Sequence, residues 1–184
     1  MSPTPEKQAI GLPVGDFSLA LLTGGVRTLG DYLEGKRGLV TVFWSYLCSH
    51  CLRYDDYLNA FARKHPDIGL VAIASRHGES SDQLRAAAAE RKLLFPILHD
   101  SHSAVARQWY TQQTPRAFLI GQDRTLHYRG AIDNFRYADH DEYVGYLEPA
   151  IASFLAGEPV TRPETASFGC AIQSVYYVLP QPLK

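Results

Sequence analysis

The run Gly38–Trp44, GLVTVFW, constrains the fold more than any other part of the chain. It is short, rich in β-branched and aromatic residues, and apolar at odd and even positions alike. Neither face of such a strand can meet water, so it belongs at the centre of a sheet covered on both sides. A second run of the same kind, Ile68–Ala74 (IGLVAIA), follows a stretch in which the period changes. There Cys51, Tyr54, Leu58 and Phe61 fall at i, i+3, i+7 and i+10, one face of a helix predicted over Ser49–Lys64. His65-Pro66 ends it, because the residue before a proline avoids the helical region.

The flanking segments complete an α/β pattern. Asp16–Leu22 and Val26–Leu29, joined by Thr23-Gly24-Gly25, read as an N-terminal β-hairpin. Ser80 with Gln83 three residues later forms a capping-box signature for a helix through DQLRAAAAERK. Phe95–Leu98 is a brief strand and SAVARQWY a short helix. Arg116–Ile120 and Thr125–Arg129 pair as a second hairpin across the turn Gly121–Arg124. A long helix is expected over Asp141–Leu155, with Pro149 inside its span and Gly157 just beyond its end. The sequence therefore predicts an α/β sandwich around a central mixed sheet flanked by helices. A loose arm is expected over residues 1–12, one domain over 13–157, and a C-terminal extension over 158–184 that carries Cys170 and a strand at SVYYVL.

Composition narrows the functions. The 184 residues carry a formal net charge of −1 and no basic stripe, which excludes nucleic acid as the expected partner. No apolar run approaches the ~20 residues of a membrane span, and the first residues lack the pattern of a secretory signal. The expectation is a cytoplasmic protein with no membrane partner. Three cysteines cannot close a disulfide framework, and in a reducing compartment a close pair points to catalysis or metal binding.

Cys48 and Cys51 lie where the buried strand ends and the helix begins. A cysteine at a helix N-terminus meets unpaired N–H groups and the positive end of the macrodipole, which favour the thiolate. The thiolate attacks disulfides, and a second thiol three residues on can attack the resulting mixed disulfide. An imidazolium at His50 would stabilise the thiolate further, and Ser49 could donate a hydrogen bond to it. The competing reading is zinc, which takes four ligands, with His99–His102 (HDSH) as the other candidate pair. No metal and no cofactor are expected. Asp55 and Asp56 read as the solvated face of the helix, Asp133 as a turn cap, and Tyr176-Tyr177 as tail packing.

VFWSYLCSHC, the helix and strand after it, and TPRAFLI farther on resemble the thioredoxin superfamily. Within it, the hairpin and the turn in VGDFSLALLTGGVRTLGDYLEGKRGLVTVFW resemble the TlpA/AhpC-TSA-like redoxins. The helix near Ser81–Lys92 and the segment DRTLHYRGAID fit the same group, over about residues 12–157. The resemblance implies a thioredoxin fold and a thiol–disulfide oxidoreductase. In that reading Cys48 attacks, Cys51 resolves, and a cis Thr114-Pro115 presents backbone to an extended substrate. Trp44, Ser49 and Thr114 are expected on the substrate side. Partners would be protein or small-molecule thiols and disulfides, with a thiol protein as electron donor or acceptor. Leu47 stands where thioredoxins carry tryptophan, and Ser-His separates the cysteines where thioredoxins have Gly-Pro.

Two alternatives remain. Peroxiredoxins resemble this fold and use one cysteine in a Pro-x-x-x-Thr/Ser-x-x-Cys frame. Ser45 matches its hydroxyl, Thr41 replaces its proline, and Arg116 could polarise a peroxide. The other alternative is a non-catalytic thioredoxin-like binding module. Cys170, in FGCAI, could resolve Cys48, hold a mixed disulfide, or have no role.

Overall fold

A computed structural model of the chain describes residues 9–135 and 142–172. In chain order its strands are β1 (Ser18–Leu21), β2 (Val26–Thr28), β3 (Gly38–Trp44), β4 (Ile68–Ala74), β5 (Ile97–His99), β6 (Gln113–Thr114), β7 (Arg116–Gly121), β8 (Leu126–Gly130) and β9 (Cys170–Ala171). The helices are α1 (Leu29–Leu33), α2 (Ser49–Leu52), α3 (Asp55–Lys64), α4 (Ser81–Glu90), α5 (Ala104–Gln108) and α6 (Leu147–Ala156).

Among the described residues, seven strands form one mixed sheet in the order β2-β1-β5-β4-β3-β7-β8. β3, β4 and β5 run parallel at its centre, while β1 and β7 join them antiparallel. Every residue of β3 and β4 is buried, as expected of strands covered on both faces. Alternation along β3 divides the core in two. Val40, Val42 and Trp44 pack with Leu58, Phe61, Leu84 and Ile151 on one face. Leu39 and Phe43 pack with Leu29, Val105, Trp109 and Phe118 on the other. The second face is aromatic: Trp109 sits 5.9 Å from Phe43 and 5.3 Å from Phe118, and its indole N–H donates to the Gly15 carbonyl at 3.0 Å. Each such buried side chain contributes about 1.5–3 kcal/mol, which holds β3 rigidly behind whatever its C-terminal end presents.

Two helix expectations are corrected. The helix predicted over Ser49–Lys64 is two pieces, α2 and α3. Tight i→i+3 bonds, Cys51 N–H to Cys48 O (2.9 Å) and Tyr54 N–H to Cys51 O (3.0 Å), close the chain between them. They hold Arg53 over the Phe135 ring and the Tyr54 hydroxyl on Asp133, contacts that periodicity does not register. The helix expected from Asp141 begins at Leu147, since Pro149 is tolerated only in a first turn. Gly157 closes it in the left-handed conformation, φ 73°. Near the N-terminus of the described residues Gly11 donates to the Leu126 carbonyl (2.8 Å), and Leu126 donates to the Leu12 carbonyl (3.0 Å). The extension beyond 157 folds back onto β8 through Arg129 N–H to Pro163 O (2.9 Å) and the ion pair of fully buried Arg129 with Glu164 (2.9 Å). The strand expected at SVYYVL, with Tyr176-Tyr177, lies outside the described residues. No described helix is long and apolar enough to cross a membrane.

Candidate functional site

The loop leaving β3 is braced from two sides before it reaches the first cysteine. The Ser45 hydroxyl donates to Glu79 at 2.5 Å, and the Leu47 N–H reaches Ser45 Oγ (3.2 Å) and Glu79 (3.4 Å). Burial raises the Glu79 carboxyl above the ordinary range, against the pull of the Ser45 and Leu47 bonds. On the other side Arg91 donates to Asp55 at 2.6 Å and to the Tyr46 carbonyl at 3.4 Å, with its guanidinium 5.0 Å from the Trp44 ring. Asp55, expected in solvent, is buried, and desolvation raises its carboxyl despite Arg91; Asp56 is exposed as expected.

Cys48 is the N-cap of α2, and its thiol donates to the Thr114 carbonyl, Sγ to O 3.3 Å. Its pKa is pulled down to about 4, chiefly by the Cys51 thiol and, against burial, by the Cys170 thiol, Thr114 and the Cys170 N–H. Because α2 is only four residues long, these hydrogen bonds and not a macrodipole favour the thiolate. Cys51 is fully buried and moves the opposite way, raised by desolvation and by the hydrogen bond and charge of Cys48. The three thiols titrate as one set, in which ionising Cys48 suppresses the other two.

His50, expected to supply the stabilising charge, stands edge-on to the Phe168 ring, centroids 5.0 Å apart. Ser49 is the exposed first residue of α2. The Thr114–Pro115 peptide is cis, and buried Thr114 sits beside Cys48. Trp44 does not meet the expectation of a substrate contact. It is 0 % exposed, because alternation along β3 turns its ring into the core against Phe95.

The structure also brings Cys170 to this place. β9 pairs antiparallel with β6 in the register Thr114↔Cys170, and the Thr114 hydroxyl donates to the Cys170 carbonyl at 3.5 Å. Burial raises the Cys170 thiol, the Cys48 charge adds to this, and Arg76 opposes it.

Other candidates are placed elsewhere. Arg116 lies opposite Phe43 in the β3–β7 register, on the aromatic face of the sheet, with Arg129 and Glu164 as its charged neighbours. Cys48 packs with the opposite face. Thr41 is buried within β3. Both ring nitrogens of His99 are engaged, with Ser81 Oγ (2.7 Å) and the Glu79 carbonyl (3.1 Å), which leaves neither for a metal; His102 is exposed. Asp133 caps the Phe135 N–H (2.9 Å) and also accepts from Tyr54 (2.6 Å).

Sequence reasoning misses Arg76, Glu79 and Arg91. Arg76 and Glu79 carry a usable signal, because they follow a fully buried parallel strand, where α/β sites gather. Arg91 lies at the end of α4, with nothing local to link it to Trp44.

The model of the AhpC/TSA family matches residues 10–129. No curated protein matches significantly. Among solved structures, a hypothetical protein from Sinorhizobium meliloti 1021 is 26 % identical, with 90 % of this chain and 94 % of that one covered and a TM-score of 0.81. A secreted disulfide oxidoreductase of Mycobacterium tuberculosis is 23 % identical over 60 % of this chain and 79 % of its own, TM-score 0.52. The peroxidoxin BcpB of the same organism is 19 % identical over 80 % and 96 %, TM-score 0.61. The last two likenesses speak for the fold alone. A mixed sheet covered by helices on both faces, with these neighbours, is a thioredoxin fold. The chain is a thioredoxin-superfamily redoxin and belongs to the AhpC/TSA family.

Proposed function

We propose that the chain is a thiol–disulfide oxidoreductase working through Cys48 and Cys51. The observation that carries this reading is the opposed displacement of two adjacent thiols. Cys48 is held low, to about 4, beside the Thr114 carbonyl, and Cys51 is held high beneath it. A nucleophile ionised at neutral pH and a protonated neighbour that releases the product are what two-step exchange needs. Cys48 attacks one sulfur of a disulfide R–S–S–R′ and expels R′S⁻, which takes a proton from water. Cys51 then attacks Cys48 Sγ, so that R–SH leaves and the Cys48–Cys51 disulfide remains. Thr114 would offer its backbone to the substrate, and a thiol protein would return the electrons. Hydrogen bonds that stabilise the thiolate also stabilise the reduced pair, which favours the oxidising direction.

A peroxidase built on Cys48 has less support. Ser45 is bonded to Glu79, and Arg116 faces away from Cys48. The test is insulin reduction with dithiothreitol, together with peptide mapping after alkylation. Cys48→Ser should lower exchange to background, a loss of roughly 10³-fold or more, and the oxidised wild type should carry a Cys48–Cys51 disulfide. Full exchange by Cys48→Ser would overturn the reading. Rapid peroxide consumption that persists without Cys51 would replace it with the peroxidase, and a partner held whatever the state of both thiols would favour the binding module.

A further inference from the structure

Cys48 is only 1 % exposed, although a nucleophile that exchanges with an outside disulfide has to be reached. What lies against it is the chain's own segment Phe168–Ile172. We propose that this segment is a resident substrate strand: it occupies the Thr114 edge where a disulfide-bearing peptide would pair, and it offers Cys170 to Cys48 as an internal exchange partner. The proposal rests on the oxidoreductase reading above.

Five observations support it. The register sets Cys170 opposite Thr114, whose carbonyl accepts from the Cys48 thiol, so Cys170 stands where the cysteine of an extended substrate would stand. Backbone bonds fix the strand from both sides at Ile172, whose N–H reaches Gln112 O (2.9 Å) and whose carbonyl accepts from His77 N–H (2.8 Å). The Ile172 side chain is buried in the aromatic half of the core. Finally, a Cβ at Gly169 would collide with the Thr114 carbonyl oxygen, so glycine there is what lets the two backbones lie this close. Phe168 adds the edge contact with His50, which joins the strand to the residue between the two catalytic cysteines.

The chemistry follows from the coupling of the thiols. Burial raises the Cys170 thiol, and while Cys48 is a thiolate its hydrogen bond and charge raise it further. Once Cys48 is captured in a mixed disulfide with R–S, that charge is gone and Cys170 ionises more readily, with Arg76 beside it. Cys170 then attacks Cys48 Sγ, the Cys48–Cys170 bond forms, the Cys48–S–R bond breaks, and RS⁻ takes up the proton that Cys170 lost. The substrate disulfide is the oxidant. In the intact protein Cys51 next attacks Cys48 and returns Cys170 to the thiol, an exchange that is neutral in electrons.

The test uses full-length Cys51→Ser with glutathione disulfide as the probe. The expected product is an intramolecular Cys48–Cys170 disulfide with no glutathione retained, while the double variant with Cys170→Ser keeps glutathione on Cys48. Glutathione that stays on Cys48 in the single variant, with Cys170 open to alkylation, overturns the proposal and leaves Cys48 as the nucleophile. Absence of any adduct at Cys48 in both variants removes the oxidoreductase reading itself, and the proposal with it. Gly169→Val in the otherwise native chain provides an independent measurement. Expelling the strand should speed reaction of Cys48 with a bulky maleimide by at least about tenfold, the ratio set by about 1.4 kcal/mol of docking. An unchanged rate overturns the proposal.

Discussion

Cys51 and Cys170 both bring a thiol to Cys48, by routes that differ in what it takes to withdraw them. Cys51 is three residues away, fully buried, on the face of the helical segment that packs into the core with Tyr54 and Leu58. Removing it from Cys48 would mean unfolding α2. Cys170 sits on a two-residue strand held by a few backbone bonds and one buried isoleucine. At about 1 kcal/mol net for each bond and about 2 kcal/mol for the side chain, such a strand can lift while the domain stays folded. One neighbour is a permanent resolver, and the other a partner that can come and go. A thiol held by the core serves every turnover, whereas a thiol on a peripheral strand serves only while nothing else occupies its edge.

Breaking the first contact should have the larger effect. Cys51→Ala removes the main hydrogen bond to Cys48, so the Cys48 pKa is expected to rise from about 4 by roughly two. Iodoacetamide kinetics against pH measures this. In the wild type the rate should be flat from neutral pH down to about 6 and fall as pH drops through about 4, because the reactive thiolate is lost by protonation.

Undocking the second contact comes next. Ile172→Ala should free the strand and raise maleimide reactivity of Cys48 by at least about tenfold, since such truncations cost about 2–5 kcal/mol locally and tenfold needs only about 1.4 kcal/mol. The melting temperature should move by only a few degrees, because the loss stays local. A cooperative collapse would show instead that β9 belongs to the core.

Cys170→Ala keeps the strand and removes only its thiol. The Cys48 pKa should then rise by about one, and the potential of the Cys48/Cys51 couple should become more reducing by about 30 mV. The direction follows from the chemistry: a less stabilised thiolate favours the disulfide. His50→Ala should shift both quantities less than Cys170→Ala, and a larger shift would restore the histidine as the main stabiliser.

The smallest effect is expected from Glu79→Gln, which alters the brace of the β3–α2 loop and leaves the thiols intact. Burial raises the Glu79 carboxyl, so its contribution is present in acid and is lost as pH rises through its folded pKa. Urea denaturation at acid and alkaline pH should show the glutamine variant gaining on the wild type toward alkaline pH, within about 1 kcal/mol, the net worth of one hydrogen bond.

What could be read in advance divides along the same line, between local and distant causes. β3 and β4 announce themselves because burial on both faces demands unbroken apolar runs. The Ser80/Gln83 box and the Gly157 cap do so because they satisfy backbone groups within one turn. The cysteine pair and Thr114-Pro115 are legible as spacing and resemblance. The break at Arg53–Tyr54 is not, because it accompanies contacts with Asp133 and Phe135 far along the chain. Trp44 illustrates a different failure: nearness to the motif suggests the surface, whereas the alternation of β3 puts the ring inside. Cys170 could be listed but not located, since only a folded chain shows that its strand returns to Thr114.

The alternation of β3 also gives the molecule two built-in optical probes with different sensitivities. Both tryptophans are fully buried, Trp44 on the cysteine face beside the Arg91 guanidinium, and Trp109 on the aromatic face against Phe43. Rearrangement of the Cys48 and Cys51 thiols should alter the surroundings of the first indole, whereas withdrawal of Ile172 from the aromatic half bears on the second. With Trp109→Phe, which keeps a ring in that packing, emission would come from Trp44 alone. Redox state could then be followed by light, without attaching a label to any of the three thiols.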